Sequence, residues 1–451
     1  MTVAYRNDPV LLQWCEKLLA NGAFEEAEGF AKVLHEANEH PSRLMLARAL
    51  DANGKAEKAS KLLKDFSDEK MGTVGPEMFE VLQLNGKILA SLGKLKKSKA
   101  NLERALTVLP ADECFDKVRA STEYQLASLL AALGKFEPAQ VIFNKAMPVR
   151  CDNAWETSAR IVDFFVQDSS SSNEKAWLKN KTLGLSPDLD VNPDAKLIYL
   201  VSGDLSYCKK FGPSLVKHIA KVGNSNVHLH IHGISIGSKD LGSQKEAWTA
   251  LNEELLSMGA SVSVSKRHID SDNFDQNQMK SIYSFERFNI LPHILKTYDL
   301  PVLVADIDQL PLRDPTGLLD KTFDVALLRF PKGVLNILSV VSATLSVFRP
   351  TKDGISAAAQ LRDYFKSAIA NPAKLSWHVD QAGLAVLDYK NTEAKIHHLN
   401  PKLVVTDPTK FDPLEAVDEG AWFWSVTNSI AGNAKELDAY ELDTIEIGLS
   451  A

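Results

Sequence analysis

A chain of 451 residues is too long for a single hydrophobic core, and it predicts two or three domains. Hydrophobic residues make up 45% of the chain and charged residues 24%, which is typical of a globular protein. The 51 Lys and Arg residues against 58 Asp and Glu give a net charge of −7. This balance excludes a general electrostatic attraction to nucleic acid or to an anionic membrane.

The N-terminal sequence and the cysteine spacing bear on the cellular compartment of the protein. The first eight residues lack the basic start and the apolar stretch of a signal peptide, and no apolar run is long enough to cross a bilayer. The four cysteines have neither CxxC nor metal-binding spacing: Cys15, Cys114, Cys151 and Cys208. Reduced thiols are the expectation for such scattered cysteines. We therefore expect a cytoplasmic protein that does not insert into a membrane.

A short pattern recurs four times between about residues 8 and 167, where strand character is almost absent. In each copy a small residue lies seven positions before a glycine, a leucine lies four before it, and another small residue lies five after it. The glycines are Gly22, Gly54, Gly93 and Gly134, and the leucines are Leu18, Leu50, Leu89 and Leu130. The first two positions share a helix face, and glycine ends the helix in the left-handed conformation. Each copy therefore predicts a helix–turn–helix unit.

These offsets resemble those of tetratricopeptide (TPR) repeats. The third copy matches most fully: Gly86, Leu89, Gly93, Leu102, Ala105 and Pro110. The family repeats every ~34 residues, whereas successive glycines here are 32, 39 and 41 residues apart. The resemblance implies a TPR-like solenoid over residues 1–168, whose concave surface holds a peptide or a protein. A generic helical bundle is the alternative.

A second domain is predicted after a linker. Residues 169–194 are rich in Ser, Pro and Asp, which is typical of linkers. Strands are then predicted over residues 196–201, 227–233, 261–265, 301–305 and 323–330, and helices over residues 207–222, 244–258 and 277–297. This alternation predicts a Rossmann-like α/β domain with a mostly parallel sheet over residues 195–430, followed by a tail over residues 431–451.

Two aspartates follow the apolar strand of residues 301–305. In an extended chain Asp306 and Asp308 point to the same side, and Ile307 points away. Two close carboxylates repel unless a cation lies between them, and hard oxygen ligands suit Mg²⁺ or Mn²⁺. The alternative is that Asp306 caps a turn and Asp308 meets solvent.

Three histidines alternate along another predicted strand. His228, His230 and His232 share one face, as the ligands of a metal site would. Packing against a helix or a partly exposed strand face explains them better.

The order of elements after residue 194 resembles that of the GT-A glycosyltransferases, the nucleotide-diphospho-sugar transferase fold that includes the glycogenin-like enzymes. In that fold the first strand and its loop receive the nucleotide. The resemblance implies this role for Val201, Ser202, Gly203, Asp204 and Tyr207. It also implies that Asp306-Ile307-Asp308 is the donor-binding metal motif, in which the two aspartates hold Mn²⁺ or Mg²⁺ between the donor phosphates.

Two further segments resemble the same family. Arg287 lies in an aromatic-rich stretch before the metal motif, and the resemblance implies that it pairs with a motif carboxylate or with the diphosphate. A surface salt bridge to Glu286 or another nearby acid is the alternative. Asp380 and Gln381, preceded by Trp377, resemble an Asp-Gln helix start that contacts the sugar or the acceptor. A simple helix cap is the alternative for Asp380.

The resemblance extends towards the C-terminus. Residues 341–350 resemble the segment that lines the donor-sugar and acceptor pocket. The family supplies a third metal ligand in this part of the chain, and His397 and His398 are the candidates, although the surroundings typical of that ligand are missing. The aromatic run of residues 422–424 is expected in the core.

These patterns together predict a metal-dependent glycosyltransferase. It would take a sugar from a nucleotide-sugar donor, for which a UDP-sugar is the leading expectation, and transfer it to a protein acceptor held by the TPR-like repeats. A haloacid-dehalogenase-like phosphatase is one alternative, with Asp306 as nucleophile and Asp308 as general acid. In that class the motif should open its domain, whereas here it follows three strands. The other alternative is a non-catalytic adaptor with a degenerate transferase domain.

Overall fold

The structure is a computed structural model that describes residues 9–35, 40–70, 74–150, 191–237, 241–259, 261–269, 274–370, 378–405, 417–418 and 420–425. The chain forms two compact units. The first comprises Met1–Thr157 and Pro331–Val340, and the second comprises Ser158–Phe330 and Val341–Ala451. An amphipathic stretch over residues 154–166, which the sequence predicts to close the helical stack, lies outside the described residues, as do most of the predicted linker and the C-terminal tail.

The first unit is built from helix pairs. Its helices are α1 (Pro9–Ala20), α2 (Phe24–His35), α3 (His40–Ala52), α4 (Ala56–Glu69), α5 (Pro76–Ser91), α6 (Leu95–Val108), α7 (Asp116–Ala132) and α8 (Phe136–Arg150). Consecutive helices pack on each other, and α1 also contacts α3, as α3 contacts α5. The described helices therefore stack as four pairs, as the TPR-like pattern predicts.

The recurring residues have the roles that their spacing predicts. The glycines at positions 22, 54, 93 and 134 adopt φ values of +75°, +72°, +71° and +73°, and each lies in the turn within a pair. The small residues five positions later are fully buried: Ala27, Ala59, Ser98 and Ala139. A left-handed turn followed by a small buried residue lets the second helix pack closely against the first.

The second unit contains a seven-stranded sheet. Its strands are β1 (Leu197–Gly203), β2 (Val227–Ile236), β3 (Val262–Ile269), β4 (Val302–Ala305), β6 (Val325–Arg329), β7 (Val341–Phe348) and β8 (Ile396–Leu399), in the spatial order β3-β2-β1-β4-β7-β6-β8. Strand β7 runs antiparallel to β4 and β6, and the other neighbouring pairs are parallel. This topology confirms the predicted α/β class with a mostly parallel sheet.

The helices of this unit are α9 (Leu205–Val222), α10 (Leu241–Ser257), α11 (Gln276–Tyr298), α12 (Lys352–Ala370) and α13 (Val379–Lys390). The predicted helices end within three residues of the observed ones. A small second sheet has the order β5 (Gln309–Pro311), β10 (Phe423–Ser425) and β9 (Val404–Val405). Phe423 and Trp424 are buried in the core, which confirms their predicted place. None of the described helices combines the length and the apolar character that a bilayer crossing requires.

The histidine row of β2 is buried and hydrogen-bonded to β3. His228, His230 and His232 are at most 1% exposed. Their ring nitrogens lie 2.6–2.9 Å from the hydroxyls of Ser261, Ser263 and Ser265, which gives a ladder of alternating His and Ser side chains. The prediction of a partly exposed face is therefore wrong. Strand β2 does pack against helix α11, as the other prediction expected, but the hydrogen-bond partners of the row are the serines beside it on the β3 segment.

Candidate active site

The candidate site lies where two central strands end. Strands β1 and β4 are parallel neighbours, so the residues after Gly203 and Ala305 come to the same edge of the sheet. Open α/β sheets bind ligands at this edge. Asp204 follows β1, and Asp306 and Asp308 follow β4, so the topology places three carboxylates at the ends of adjacent strands.

Asp204 begins helix α9. Its Oδ1 accepts hydrogen bonds from Tyr207 N at 2.9 Å and from Ser206 Oγ at 2.7 Å, which is the usual geometry of an N-cap. The Tyr207 ring is 45% exposed. Partial burial, together with the charges of Asp308, Asp204 and Asp306, raises the pKa of the Tyr207 hydroxyl. A half-exposed aromatic ring therefore lies within the electrostatic reach of the three predicted carboxylates.

The other residues predicted for nucleotide binding have structural roles. Val201 is fully buried in the core. Ser202 is 7% exposed, and its Oγ donates a hydrogen bond to Tyr283 O at 2.7 Å, which ties β1 to α11. Ile307 is 3% exposed and packs in the same core. Of the predicted segment, the side chains of Asp204 and Tyr207 are therefore the ones open to a ligand.

Arg287 lies at the centre of the site and is 1% exposed. Its Nη1 donates to Ala305 O at 2.7 Å and to the Asp306 carboxylate, and its Nη2 donates to Ala343 O at 3.0 Å. Nη2 also lies 3.6 Å from Asp380 Oδ2. One guanidinium thus joins the end of β4, the start of β7 and the first turn of α13.

The alternative of a surface salt bridge for Arg287 is wrong. The carboxylate of Glu286 is buried and accepts from Arg267 Nη1 at 2.6 Å and 2.7 Å instead. The predicted pairing of Arg287 with a motif carboxylate is what the structure contains. Such charge-assisted bonds hold a carboxylate in a fixed orientation.

Asp380 is 5% exposed and lies in α13, next to its first residue. The N-cap of α13 is His378, so Asp380 is not a simple cap. Its Oδ1 accepts from Gln381 N at 2.8 Å. Burial raises the pKa of Asp380, the charge of Arg287 opposes this shift, and Asp306 adds to it. Residue 377, the tryptophan predicted to stack on a sugar, lies outside the described residues.

One residue that sequence reasoning did not assign, Tyr199, lies beside the aspartates. Tyr199 of β1 is fully buried, and its hydroxyl donates to Gln309 O at 2.9 Å. Burial raises the pKa of Tyr199 well above its usual value, and the charges of Asp306 and Asp308 add to the shift. The single aromatic side chain of β1 was the available signal for Tyr199.

The predicted third metal ligands lie elsewhere. His398 Nε2 is 2.7 Å from Asp388 Oδ1, and the His397 ring stacks on Phe323 with centroids 6.0 Å apart. Both histidines belong to the edge strand β8, three strands away from β4. In the described part of the chain, no three His, Cys, Asp or Glu side chains form a group that could hold a metal ion. The structure therefore does not bring His397 or His398 together with Asp306 and Asp308.

The donor set of the two aspartates nevertheless fits a hard divalent cation. Both side chains are carboxylates at one strand end, and the Asp306 carboxylate is one-third exposed. Mg²⁺ is commonly held by one or two protein carboxylates, with water and substrate phosphates completing the octahedron. A site of this kind needs no third protein ligand.

Comparison with known proteins gives matches at the level of structure. No protein-family model and no curated protein sequence matches the chain. A TPR-like repeat protein, a kinesin light chain of Podosopora anserina, is 16% identical with a TM-score of 0.29 over 32% of this chain and 76% of that chain. The galactosyltransferase LgtC, solved with donor and acceptor sugar analogs, is 14% identical with a TM-score of 0.37 over 55% of this chain and 92% of that chain.

The glycosyltransferase GlyE of Streptococcus pneumoniae TIGR4 is 18% identical, with a TM-score of 0.30 over 47% of this chain and 46% of that chain. The matches thus include both kinds of protein that the sequence resembles, a TPR-like repeat protein and glycosyltransferases. With TM-scores of 0.29 to 0.37 these matches carry no argument about the reaction, and the case for the chemistry rests on this chain's own residues.

Proposed function

We propose that the second unit is a metal-dependent glycosyltransferase that takes a sugar from a UDP-linked donor in the cytoplasm, and that the TPR-like unit holds its protein acceptor. One observation carries the proposal: the buried Arg287 pairs with Asp306 and approaches Asp380 at the carboxyl ends of β1 and β4. A buried cation that orients one acid of a strand-end pair and faces a second buried acid is costly to build. Such an arrangement is typical of a functional site.

Asp306 and Asp308 would hold Mn²⁺ or Mg²⁺. The cation would neutralise the negative charge that grows on the nucleoside diphosphate as it leaves the sugar. Arg287 keeps the Asp306 carboxylate in place, since its hydrogen bonds to two backbone carbonyls fix the guanidinium. The same positive charge lowers the repulsion among the acids gathered at this edge.

The remaining residues suit the two ends of the donor. The half-exposed Tyr207 offers an aromatic face to a pyrimidine ring at the end of β1. Asp380 lies 3.6 Å from Arg287 Nη2, and Asp380 and Gln381 form the segment to which the family resemblance assigns a contact with the sugar or the acceptor. The Asp380 carboxyl is buried beside Arg287 Nη2, where it can accept hydrogen bonds from sugar hydroxyls.

The alternative hypothesis of a haloacid-dehalogenase-like phosphatase requires the Asp306 carboxylate to be free to act as the nucleophile. In the structure this carboxylate is held by a buried arginine, which lowers its nucleophilicity and fixes its direction. The transferase role is therefore favoured over the phosphatase role.

Isothermal titration of the full chain with UDP, GDP and CMP, each with and without Mn²⁺, tests the donor part of the proposal. We expect UDP to bind only in the presence of Mn²⁺, and more tightly than GDP or CMP. The absence of metal-dependent binding for all three nucleotides would contradict the proposal. Binding of UDP with equal affinity in the presence of EDTA would contradict the role of the aspartates.

The acceptor part needs a separate measurement. The full chain is incubated with radiolabelled UDP-sugars and a protein extract, and label in protein is compared with free sugar. We expect label in protein with the wild-type chain and none with an Asp308→Asn variant. Free sugar without labelled protein would show donor hydrolysis alone and would leave the solenoid with another role.

A further inference from the structure

A short segment of the chain belongs to the first unit although the residues on both sides of it, Phe330 and Val341, belong to the second. Residues 331–340 connect β6 to β7, yet they form one compact unit with the helix pairs. The first half of the segment, Pro331–Leu335, packs against α5 and α7. The segment lies outside the repeating pattern, so it is an addition to the solenoid rather than a part of it.

The contacts of this segment are like those of a bound peptide. Asn336 Oδ1 accepts a hydrogen bond from Tyr124 Oη at 2.7 Å, and Ile337 N donates to Ser128 Oγ at 3.3 Å. Tyr124 and Ser128 are one helical turn apart on α7, so they form one face. The helix thus binds the segment through side chains, and these contacts depend on the sequence of α7.

Aliphatic side chains of the segment are buried around the asparagine. Val334, Ile337, Leu338 and Val340 are 4%, 0%, 8% and 0% exposed. The segment also folds back on itself, because a Cβ at Gly333 would lie 2.8 Å from Ser339 O. One amide side chain, with aliphatic residues at positions −2, +1, +2 and +4, is therefore the pattern that this surface accepts.

The surface itself is the one that a stacked solenoid offers for binding. Helices α5 and α7 are the first helices of the third and fourth pairs. The first helices contact one another from α1 to α3 and from α3 to α5, and Gln83 Nε2 of α5 donates to Thr122 Oγ1 of α7 at 2.7 Å. They make one continuous face, and the extended face of a solenoid is its usual binding surface. Residues 331–340 occupy this face at the third and fourth pairs.

We propose that the α5–α7 face is the peptide-binding site of the solenoid, and that residues 331–340 are an internal ligand that an external peptide of the same pattern replaces. The external partner is a segment with an Asn side chain flanked by aliphatic residues. The identification of that partner with the glycosyl acceptor rests on the proposed function. The proposal of a peptide-binding site does not depend on it. Since the internal ligand is tethered at both ends, its effective concentration is on the order of millimolar, and it excludes weak peptides.

A labelled peptide with the sequence of residues 331–340 tests the proposal by fluorescence anisotropy, without nucleotide or metal. It is titrated into the intact chain and into a full-length variant in which residues 332–339 are replaced by a Gly/Ser segment of equal length. We expect the variant to bind the peptide about tenfold or more tightly than the intact chain, because the tethered competitor is gone. In the variant background, Tyr124→Phe should weaken binding about 3- to 10-fold, as the loss of one hydrogen bond predicts.

Two point variants keep the proposal testable if the chain needs residues 332–339 in order to fold. Asn336→Ala in the otherwise intact chain weakens the internal ligand, and it should bind the peptide about 3- to 10-fold more tightly than the wild type does. Val141→Ala, at a position on α8 that is 69% exposed, is the matched control and should bind as the wild type does. Equal binding by the wild type, the replaced chain and Asn336→Ala, or no binding by any of them, would overturn the proposal. Neither result depends on whether the chain binds UDP.

Discussion

The Nη2 atom of Arg287 lies 3.6 Å from Oδ2 of Asp380, and both side chains are buried. The same guanidinium also pairs with Asp306, so one cation faces two acids that are 74 positions apart in the sequence. Its remaining hydrogen bonds go to the carbonyls of Ala305 and Ala343. Arg287 therefore sets the distance between the motif that ends β4 and the helix that carries Asp380.

Arg287→Lys should cost both stability and nucleotide binding. Lysine keeps the charge, but it cannot reproduce a planar fork that reaches two carbonyls and two carboxylates. We expect the free energy of unfolding to fall by about 2–5 kcal/mol, because buried partners lose their donors. Urea denaturation gives the stability, and titration with UDP and Mn²⁺ gives the binding.

Arg349→Lys is the matched control for this prediction. Arg349 donates to Lys321 O at 2.8 Å and covers the Phe323 ring, away from the aspartates. Its replacement should lower stability and leave nucleotide affinity unchanged. If Arg287→Lys kept wild-type nucleotide affinity, the central role of Arg287 would be wrong.

Asp308→Asn should abolish the metal dependence of nucleotide binding while the fold persists. An amide oxygen is a weaker ligand than a carboxylate for a hard cation, and half of the acidic pair is lost. We expect the affinity for UDP with Mn²⁺ to fall at least about tenfold, the change that corresponds to ~1.4 kcal/mol. Asp314→Asn is the control, because Asp314 Oδ1 accepts from Thr316 N and Oγ1 in a turn outside the site. An equal loss of affinity in both variants would indicate a structural effect.

The repeat pattern was predictable because a single local signal carries it. Gly22, Gly54, Gly93 and Gly134 all adopt the left-handed conformation that the spacing predicts. The strand that ends in Asp306 was predictable for the same reason, since an apolar run followed by carboxylates depends on local sequence alone. The positions of Arg287 and Asp380 relative to that strand came from the family resemblance.

What could not be predicted depends on contacts between distant residues. Residues 341–350 were expected to line the donor-sugar and acceptor pocket, but the antiparallel direction of β7 follows from how the chain returns to β4. His397 and His398 are far from the metal motif in sequence, so the local pattern does not fix their distance from it. In the fold they lie on the edge strand β8, three strands away from β4. Nothing in the local sequence of residues 331–340 points to helix α7, and only the fold places Asn336 and Ile337 on Tyr124 and Ser128.

The His–Ser ladder should make the chain sensitive to mild acid. Burial, together with neighbouring His232 and His228, lowers the pKa of His230 well below 6.5. As the pH falls below about 6.5, the unfolded chain takes up a proton at this position while the folded chain does not. The unfolding free energy is therefore highest above pH 6.5. It falls on acidification by up to ~1.4 kcal/mol per pH unit for one proton.

Urea unfolding between pH 7.5 and 5.5 measures this effect. The unfolding free energy of His230→Gln should fall less steeply with decreasing pH than that of the wild type, because one titrating group is removed. His293→Gln, which removes an exposed histidine of α11 instead, is the matched control. Identical slopes for the wild type and His230→Gln would show that the ladder does not set the acid sensitivity.

Asp380→Asn should separate function from stability. The pKa of Asp380 is raised, chiefly by burial, so the unfolded chain loses this proton first as the pH rises above about 3.9. The ionised carboxylate therefore costs stability at neutral pH, even with Arg287 beside it. Asparagine keeps the acceptor for Gln381 N and removes the charge, so the Tm at pH 7 should be unchanged or higher. Transfer activity should fall about 100-fold or more if this carboxylate contacts the reacting sugar.

Asp388→Asn, the matched control, should give the opposite pattern, because Asp388 pairs with Arg329 at 3.1 Å and with His398 at 2.7 Å outside the site. That variant should lose stability and keep its activity, and a lower Tm with full activity for Asp380→Asn would make Asp380 a structural residue.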